Sequence, residues 1–151
     1  MAQSLCKIYL HIIFHIKTVS PPVMDEHLDR LHQYIGHLAN TSSCQVIITG
    51  GTSDHVHTLV LLSSTENVAH LVEEMKRNSS RWLKSLSSHY SDFAWQSGYA
   101  AFSVSQSVVE RTMDYIKNQE EHHRKHSFRE EYLDFLARYN ISYDERYVLS
   151  D

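Results

Sequence analysis

The spacing of apolar residues changes repeatedly along the chain, and each change marks an element. From Leu5 to Thr18 β-branched and aromatic residues dominate, which predicts a long central strand. Under period two, His11 and His15 share one face. Each is read first as a polar residue hydrogen-bonded beside the sheet and second as a group reaching an active site. Pro21-Pro22 stops the strand. From Val23 to about Asn40 the period becomes helical, with Leu28, Leu31, Ile35 and Leu38 three or four apart. Asp25, Glu26 and Asp29 suit the positive end of that helix's dipole. Cys44 to Thr49 predicts a second strand, Gly50-Gly51 the break after it, and His55 to Leu62 a third strand closing a hairpin.

A second helix is expected from Thr65 or Asn67 to about Ser87. Its apolar stripe is Val68, Leu71, Val72, Met75, Trp82, Leu83 and Leu86. Arg77, Arg81 and Lys84 share another side, where they could follow a phosphate backbone or form an ordinary solvated face. His89 to Ala94 reads as a linker, and Trp95 to Ser103 as a last strand. Its aromatics could stack on bases, although core packing is the default for Trp95 and Phe102. Ser107 with Glu110 forms the sequence of a capping box that starts a third helix, ending near His126. Ser127 with Glu130 repeats the box and opens a helix from Phe128 to Tyr139, after which Asn140 to Asp151 is expected to lie against the domain.

The resulting order is strand, helix, strand, strand, helix, strand, then carboxy-terminal helices. An α+β fold meets it most simply: a ferredoxin-like, four-stranded antiparallel sheet with helices on one face and extra C-terminal helices. The hairpin's second strand then lies next to the first strand, near the sheet centre.

Composition narrows the class. A chain of 151 residues accommodates one domain, 1–151, with a sizeable core. Its net charge of -4 argues against a generally cationic nucleic-acid binder while leaving a local groove open. Cys6 and Cys44 have no metal-type spacing and are expected to be buried free thiols in a reducing compartment. With neither a signal-length apolar core at the amino terminus nor an apolar run of membrane-spanning length, the expectation is a cytoplasmic protein without membrane partners.

Two stretches carry chemistry. In Asp54-His55-Val56-His57, an extended backbone points His55 and His57 the same way, so two imidazoles can converge on one ion. In Tyr115-Ile116-Lys117-Asn118-Gln119, the first and last residues stand one above the other on a helix. A tyrosine hydroxyl is a poor nucleophile at neutral pH and needs an oriented, electropositive electrophile. A metal on a phosphodiester oxygen supplies one, and Gln119 could lend its oxygen to the same ion. Two histidines and a glutamine fit Mn²⁺ or Mg²⁺; zinc would want a third ligand, for which His122, His123 and Asp54 are candidates.

Taken together, these stretches resemble the HUH single-strand DNA transposases with one catalytic tyrosine, the insertion-sequence and REP-associated group. His55-Val56-His57 matches the histidine–hydrophobic–histidine motif, and Tyr115 to Gln119, followed by Glu120-Glu121-His122-His123, the tyrosine motif. Trp95 to Ser105, Ser127-Phe128-Arg129-Glu130-Glu131 and Tyr143-Asp144-Glu145-Arg146-Tyr147 are similar to further signatures of the family. Ser53, Thr58 and Ala100 depart from commoner family residues without removing a ligand or the nucleophile. The resemblance implies a divalent metal on His55, His57 and Gln119, Tyr115 as nucleophile, a homodimer, and single-stranded or hairpin DNA as substrate. The expected reaction is metal-dependent cleavage and rejoining through a 5′-phosphotyrosine, the chemistry of DNA transposition. Two other classes stand beside it: a non-catalytic nucleic-acid-binding module, and a metal-dependent phosphodiester hydrolase in which water replaces Tyr115.

Overall fold

The computed structural model describes residues 2–150, so Met1 and Asp151, the ends of the expected domain, lie outside the described residues. Four strands form one antiparallel sheet: β1 (Ile8–His15), β2 (Gln45–Thr52), β3 (His55–Leu62) and β4 (Ala100–Val104), in the order β2-β3-β1-β4. The expected ferredoxin-like α+β arrangement is what the chain adopts, with β1 and β3 as the two central strands.

Alternation along the central strands separates two layers. Leu10, Ile12, Phe14, Val56 and Val60 face α1 (Asp25–Thr41) and α2 (Val68–Leu86), where they meet Leu31, Ile35, Leu71, Met75 and Leu83. Ile12, Phe14, Leu31, Ile35 and Met75 have no exposed surface. Full burial of each such side chain contributes roughly 1.5–3 kcal/mol, so this layer is the main apolar core.

Residues of the opposite parity, Tyr9, His11, Ile13 and His15 on β1 with His55, His57, Leu59 and Leu61 on β3, face the other way. They are covered by α3 (Val109–Lys117), α4 (Gln119–His123) and α5 (Phe128–Arg138). Leu59, Val109 and Ile116 pack at one end of this second layer; Ile13, Phe102, Tyr132 and Leu136 pack at the other, with Val148 and Leu149 of the tail against them. The C-terminal helices thus close over the second face of the sheet, and the strip between the two apolar patches is where histidines collect.

Several local expectations change. Cys44 is a buried free thiol, but Cys6, ahead of β1, is exposed. Gly50-Gly51 does not end a strand: β2 continues through Thr52, and the hairpin turns at Ser53-Asp54. Gly51 allows this because its φ of +147° suits glycine, and a Cβ there would lie 2.2 Å from the His55 carbonyl oxygen. The stretch expected as a linker, His89 to Ala94, inserts Tyr90 and Phe93 fully into the core. Tyr90 also ties it to α1, accepting a 3.0 Å bond from the Met24 amide. The last strand starts at Ala100 rather than Trp95. Trp95 pairs only in an isolated bridge with Ile16 and donates its indole N–H to Ser79 at 3.0 Å.

The third helix also starts and ends differently. A short 3-10 turn, Gln106–Val108, precedes it, and the Ser107 hydroxyl lies 3.0 Å from that of Ser105 instead of capping. The Ser107–Glu110 box is therefore not formed, whereas the Ser127 hydroxyl does accept from the Glu130 amide at 3.1 Å. Helix α3 stops at Lys117, and α4 begins at Gln119 after a joint at Asn118. Among the described residues, no helix is long and apolar enough to cross a membrane.

Candidate active site

Strand β3 places His55 and His57 two residues apart on the covered face, opposite His15 and Ile13 of β1. Both rings are buried, at 1% and 0% exposure. Each turns Nε2 into the interior and leaves Nδ1 to a neighbour. His55 Nδ1–H donates to Asp54 Oδ1 at 2.7 Å, and His57 Nδ1 lies 2.7 Å from His11 Nε2. Facing the two Nε2 atoms are groups from the C-terminal helices. Gln119 Oε1 is 2.9 Å from His55 Nε2, and Glu131 Oε1 is 2.8 Å from His57 Nε2. His123 Nε2 closes the ring, 3.0 Å from Gln119 Oε1 and 3.3 Å from Glu131 Oε1.

His55, His57, His123 and Glu131 thus offer three imidazole nitrogens and a carboxylate oxygen, all within 4.8 Å of one another. Opposite ligands of a cation with bonds of about 2.1 Å stand about 4.2 Å apart, so these donors need close in only slightly to share one ion. The donor chemistry fits a divalent metal, and the chain could hold one here.

Tyr115 stands at the edge of this cluster. Its hydroxyl donates to Glu131 Oε2 and lies 3.4 Å from His122 Nε2. A cavity of about 380 Å³ opens beside it, lined among others by His122, His126, Phe135 and Arg138. Gln119, across the Asn118 joint, donates from Nε2 to Glu131 Oε2 at 3.1 Å. One carboxylate therefore touches both the tyrosine and the histidine cluster.

Electrostatics follow from burial and that carboxylate. Burial drives His57 down to about 4, against the opposing pull of Glu131, so its imidazole is neutral and free to ligate. Burial, and then the electrostatic interaction with the neighbouring His57, hold His11 well below the usual range. Burial pushes Glu131 up, but hydrogen bonds from His57 and Tyr115 outweigh it, and the carboxyl stays ionised far below its ordinary range. Burial, reinforced by the Glu131 charge, raises Tyr115 well above an ordinary phenol. The tyrosine is thus held protonated, with its acceptor in place.

The fold brings together Tyr115, His55, His57 and Gln119. It does not bring Arg77, Arg81 and Lys84 to them: α2 packs on the other face of the sheet, where Arg77 is paired with Glu73 at 3.5 Å and with Glu74. Of the three candidates for a further ligand, His123 enters the cluster, while Asp54 supports His55 from behind and His122 lies beside Tyr115. Glu131 was legible in the sequence only as the last residue of the Ser127-Phe128-Arg129-Glu130-Glu131 stretch, with no role attached to it. Its signal was a charge on the apolar face of a helix, three residues after Phe128 and four before Phe135.

Comparisons with known proteins place the fold and the family. Among solved structures, a Deinococcus radiodurans R1 protein assigned as a transposase superposes with a TM-score of 0.60 at 22% identity, covering 79% of this chain and 98% of that one. A REP-associated tyrosine transposase, solved bound to a REP hairpin, gives a TM-score of 0.60 at 11% identity over 82% of this chain and 73% of that one. No curated protein matches the sequence. A family model described as "Transposase IS200 like" matches residues 4–119, which include His55, His57, Tyr115 and Gln119. The chain belongs to the IS200-like transposase family.

Proposed function

We propose that this transposase cleaves and rejoins single-stranded DNA, hairpin-bearing by analogy with the REP-bound neighbour, through a covalent bond to Tyr115. The observation that carries the reading is the shared Glu131 carboxylate, which accepts the Tyr115 hydroxyl on one oxygen and meets His57 on the other. His55, His57, His123 and Glu131 would hold a divalent cation, with Gln119 turned toward the same point. Three imidazoles suit Mn²⁺ or Zn²⁺ better than Mg²⁺, which prefers oxygen donors and keeps its waters. A cation bound there withdraws charge from a phosphodiester oxygen and so activates the phosphorus.

The chain's own groups account for the rest. Tyr115 stays protonated until its oxygen closes on phosphorus. Its proton then passes to Glu131 Oε2, the acceptor already bonded to it. The Oη–P bond forms as the P–O3′ bond breaks, and the departing 3′ oxygen takes a proton from solvent. The product is a 5′-phosphotyrosine and a free 3′ hydroxyl. A 3′ hydroxyl attacking the same phosphorus reverses the step and returns the proton to Tyr115, so the bond energy is conserved. The same reading includes a homodimer, which sedimentation of the free protein measures.

The test uses hairpin DNA labelled on the 3′ side of the cleavage point, with Mn²⁺ and either wild type or Tyr115→Phe. Label is expected on the wild type alone, with phosphotyrosine at position 115 by mass spectrometry. Equal cleavage by Tyr115→Phe overturns the reading in favour of a metal-dependent hydrolase. Tight binding of hairpins without cleavage by either protein overturns it in favour of a binding module.

A further inference from the structure

His11 plays no direct part in that chemistry, yet it is 2% exposed and makes one of the shortest contacts in the site, 2.7 Å from its Nε2 to His57 Nδ1. It stands on β1 opposite Leu59, one diagonal step from His57 on the same face of the sheet. The edges of Phe135 and Phe102 lie against it at centroid distances of 5.1 and 6.5 Å, which fixes the plane of the ring. Its remaining nitrogen, Nδ1, belongs to a ring that lines a cavity of about 280 Å³ with Arg111, Tyr115 and Arg138. His55 is supported differently, by the Asp54 carboxylate and, at 3.1 Å, the Thr52 hydroxyl. The two strand histidines therefore have unlike supports, a carboxylate behind one and an imidazole behind the other.

The difference matters because His57 needs two tautomers. Without a cation, its Nε2 faces a carboxylate oxygen at 2.8 Å and must carry the hydrogen, since an ionised carboxylate only accepts. Nδ1 is then an acceptor, and His11 Nε2–H donates to it. With a cation on Nε2, the hydrogen of neutral His57 must sit on Nδ1 and needs a buried acceptor. A carboxylate at the place of His11 could serve only the second state. An imidazole serves both, because either nitrogen can donate or accept.

We propose that His11 is a positioning residue for the cation site, reversing its hydrogen bond to His57 when a divalent cation binds. The proposal rests on His57 being a ligand, as in the reading above. On loading, His57 loses the hydrogen at Nε2 and receives one at Nδ1 from His11 Nε2. His11 in turn takes one at Nδ1 from the cavity side. One proton leaves the pair and one enters, so both rings remain neutral and no buried charge is created.

Two measurements test it. Titration calorimetry of Mn²⁺ into wild type, His11→Phe and His11→Gln should show a 10- to 100-fold weaker affinity for the phenylalanine variant, the usual cost of losing such support. The glutamine variant should remain close to wild type, because a carboxamide can also present a donor or an acceptor. Long-range proton–nitrogen NMR of wild type, metal-free and loaded with diamagnetic Zn²⁺, should show the His57 hydrogen moving from Nε2 to Nδ1. Equal Mn²⁺ affinity for wild type and a folded His11→Phe overturns the proposal while leaving the cation site intact. An unchanged His57 tautomer in the Zn²⁺-loaded protein overturns it without recourse to any variant. A wild type that binds neither ion overturns the cation site itself, and this proposal with it.

Discussion

The hydroxyl of Tyr115 on α3 donates to the carboxylate of Glu131 on α5, sixteen residues further along the chain. In the proposed reaction, the acceptor for the Tyr115 proton is therefore supplied by a different helix from the one that carries the tyrosine, and α5 is as much a part of the candidate site as the histidine strand. Glu131 Oε2 also lies 3.2 Å from His122 Nε2, so any change at this carboxylate is felt across the C-terminal layer.

Replacing Glu131 by glutamine keeps the volume and removes the negative charge. Formation of the covalent adduct is expected to fall by roughly 10²- to 10⁴-fold, the range for loss of a positioned acid or base. Cation affinity should weaken as well, because the carboxylate is one of four donors. Single-turnover adduct formation at saturating Mn²⁺ separates the two effects; a wild-type rate there would remove Glu131 from proton transfer.

Gly50 is directly paired with His57 and lies beneath α3. A Cβ at this position would stand 2.6 Å from the Ile116 carbonyl oxygen and 3.0 Å from its Cγ2. Gly50→Ala should lift α3, destabilise the protein by about 1–3 kcal/mol through overpacking, and displace Tyr115, the neighbour of Ile116. Misplacement of a reacting group by about 1 Å costs roughly 10²-fold in rate. Hairpin affinity should be retained while adduct formation falls, and parallel losses in both would reduce Gly50 to a stability role.

Arg111 lies one helical turn before Tyr115, lines two of the cavities beside it, and forms no ion pair among the described residues. Arg81 projects from α2 on the far layer. Arg111→Ala is expected to reduce the salt dependence of hairpin binding by about one released counterion, while Arg81→Ala leaves the slope unchanged. Binding isotherms at several salt concentrations, on the Tyr115→Phe background to prevent cleavage, provide the comparison. The opposite pattern would return DNA contact to the Arg77, Arg81 and Lys84 stripe.

Acid should destabilise the metal-free protein in a way that one residue reports. Burial lowers His32 on α1 to about 4, and its Nε2 is buried with no hydrogen-bond partner among the described residues. Between about pH 6.5 and 4 the unfolded chain binds a proton at this residue that the folded chain does not, so stability falls as pH falls through that window. Urea unfolding in the presence of a chelator should show the decline, and His32→Leu should flatten it by about one proton. An identical pH slope in the variant would exclude His32 as a contributor.

The sequence by itself determined the architecture and marked the two motifs that meet in the candidate site. Alternation in β1 and β3, and helical spacing in α1 and α2, are local properties of consecutive residues, and each period has one face to bury. The same locality made His55 with His57, and Tyr115 with Gln119, readable as pairs. Hairpin and helix ends were less legible because long-range contacts override local preference. Pairing with His55 draws β2 through Gly50-Gly51, and Ser107 bonds to Ser105 rather than capping α3. Tyr90 and Phe93, in what reads as a linker, were taken into the core for a similar reason.

What only the tertiary structure decided is how the second face of the sheet is used. No local period states that α3, α4 and α5 cover it, yet that covering brings His123 and Glu131 to His55 and His57 across separations of up to 76 residues. It also leaves Arg77, Arg81 and Lys84 on the opposite layer, although their spacing alone suits a phosphate backbone. His11 has the same origin: period two gives its face, but its bond to His57 depends on the register of β1 against β3, in which His11 stands opposite Leu59. Local spacing specifies which groups share a face, and only the packing of distant segments specifies what that face meets.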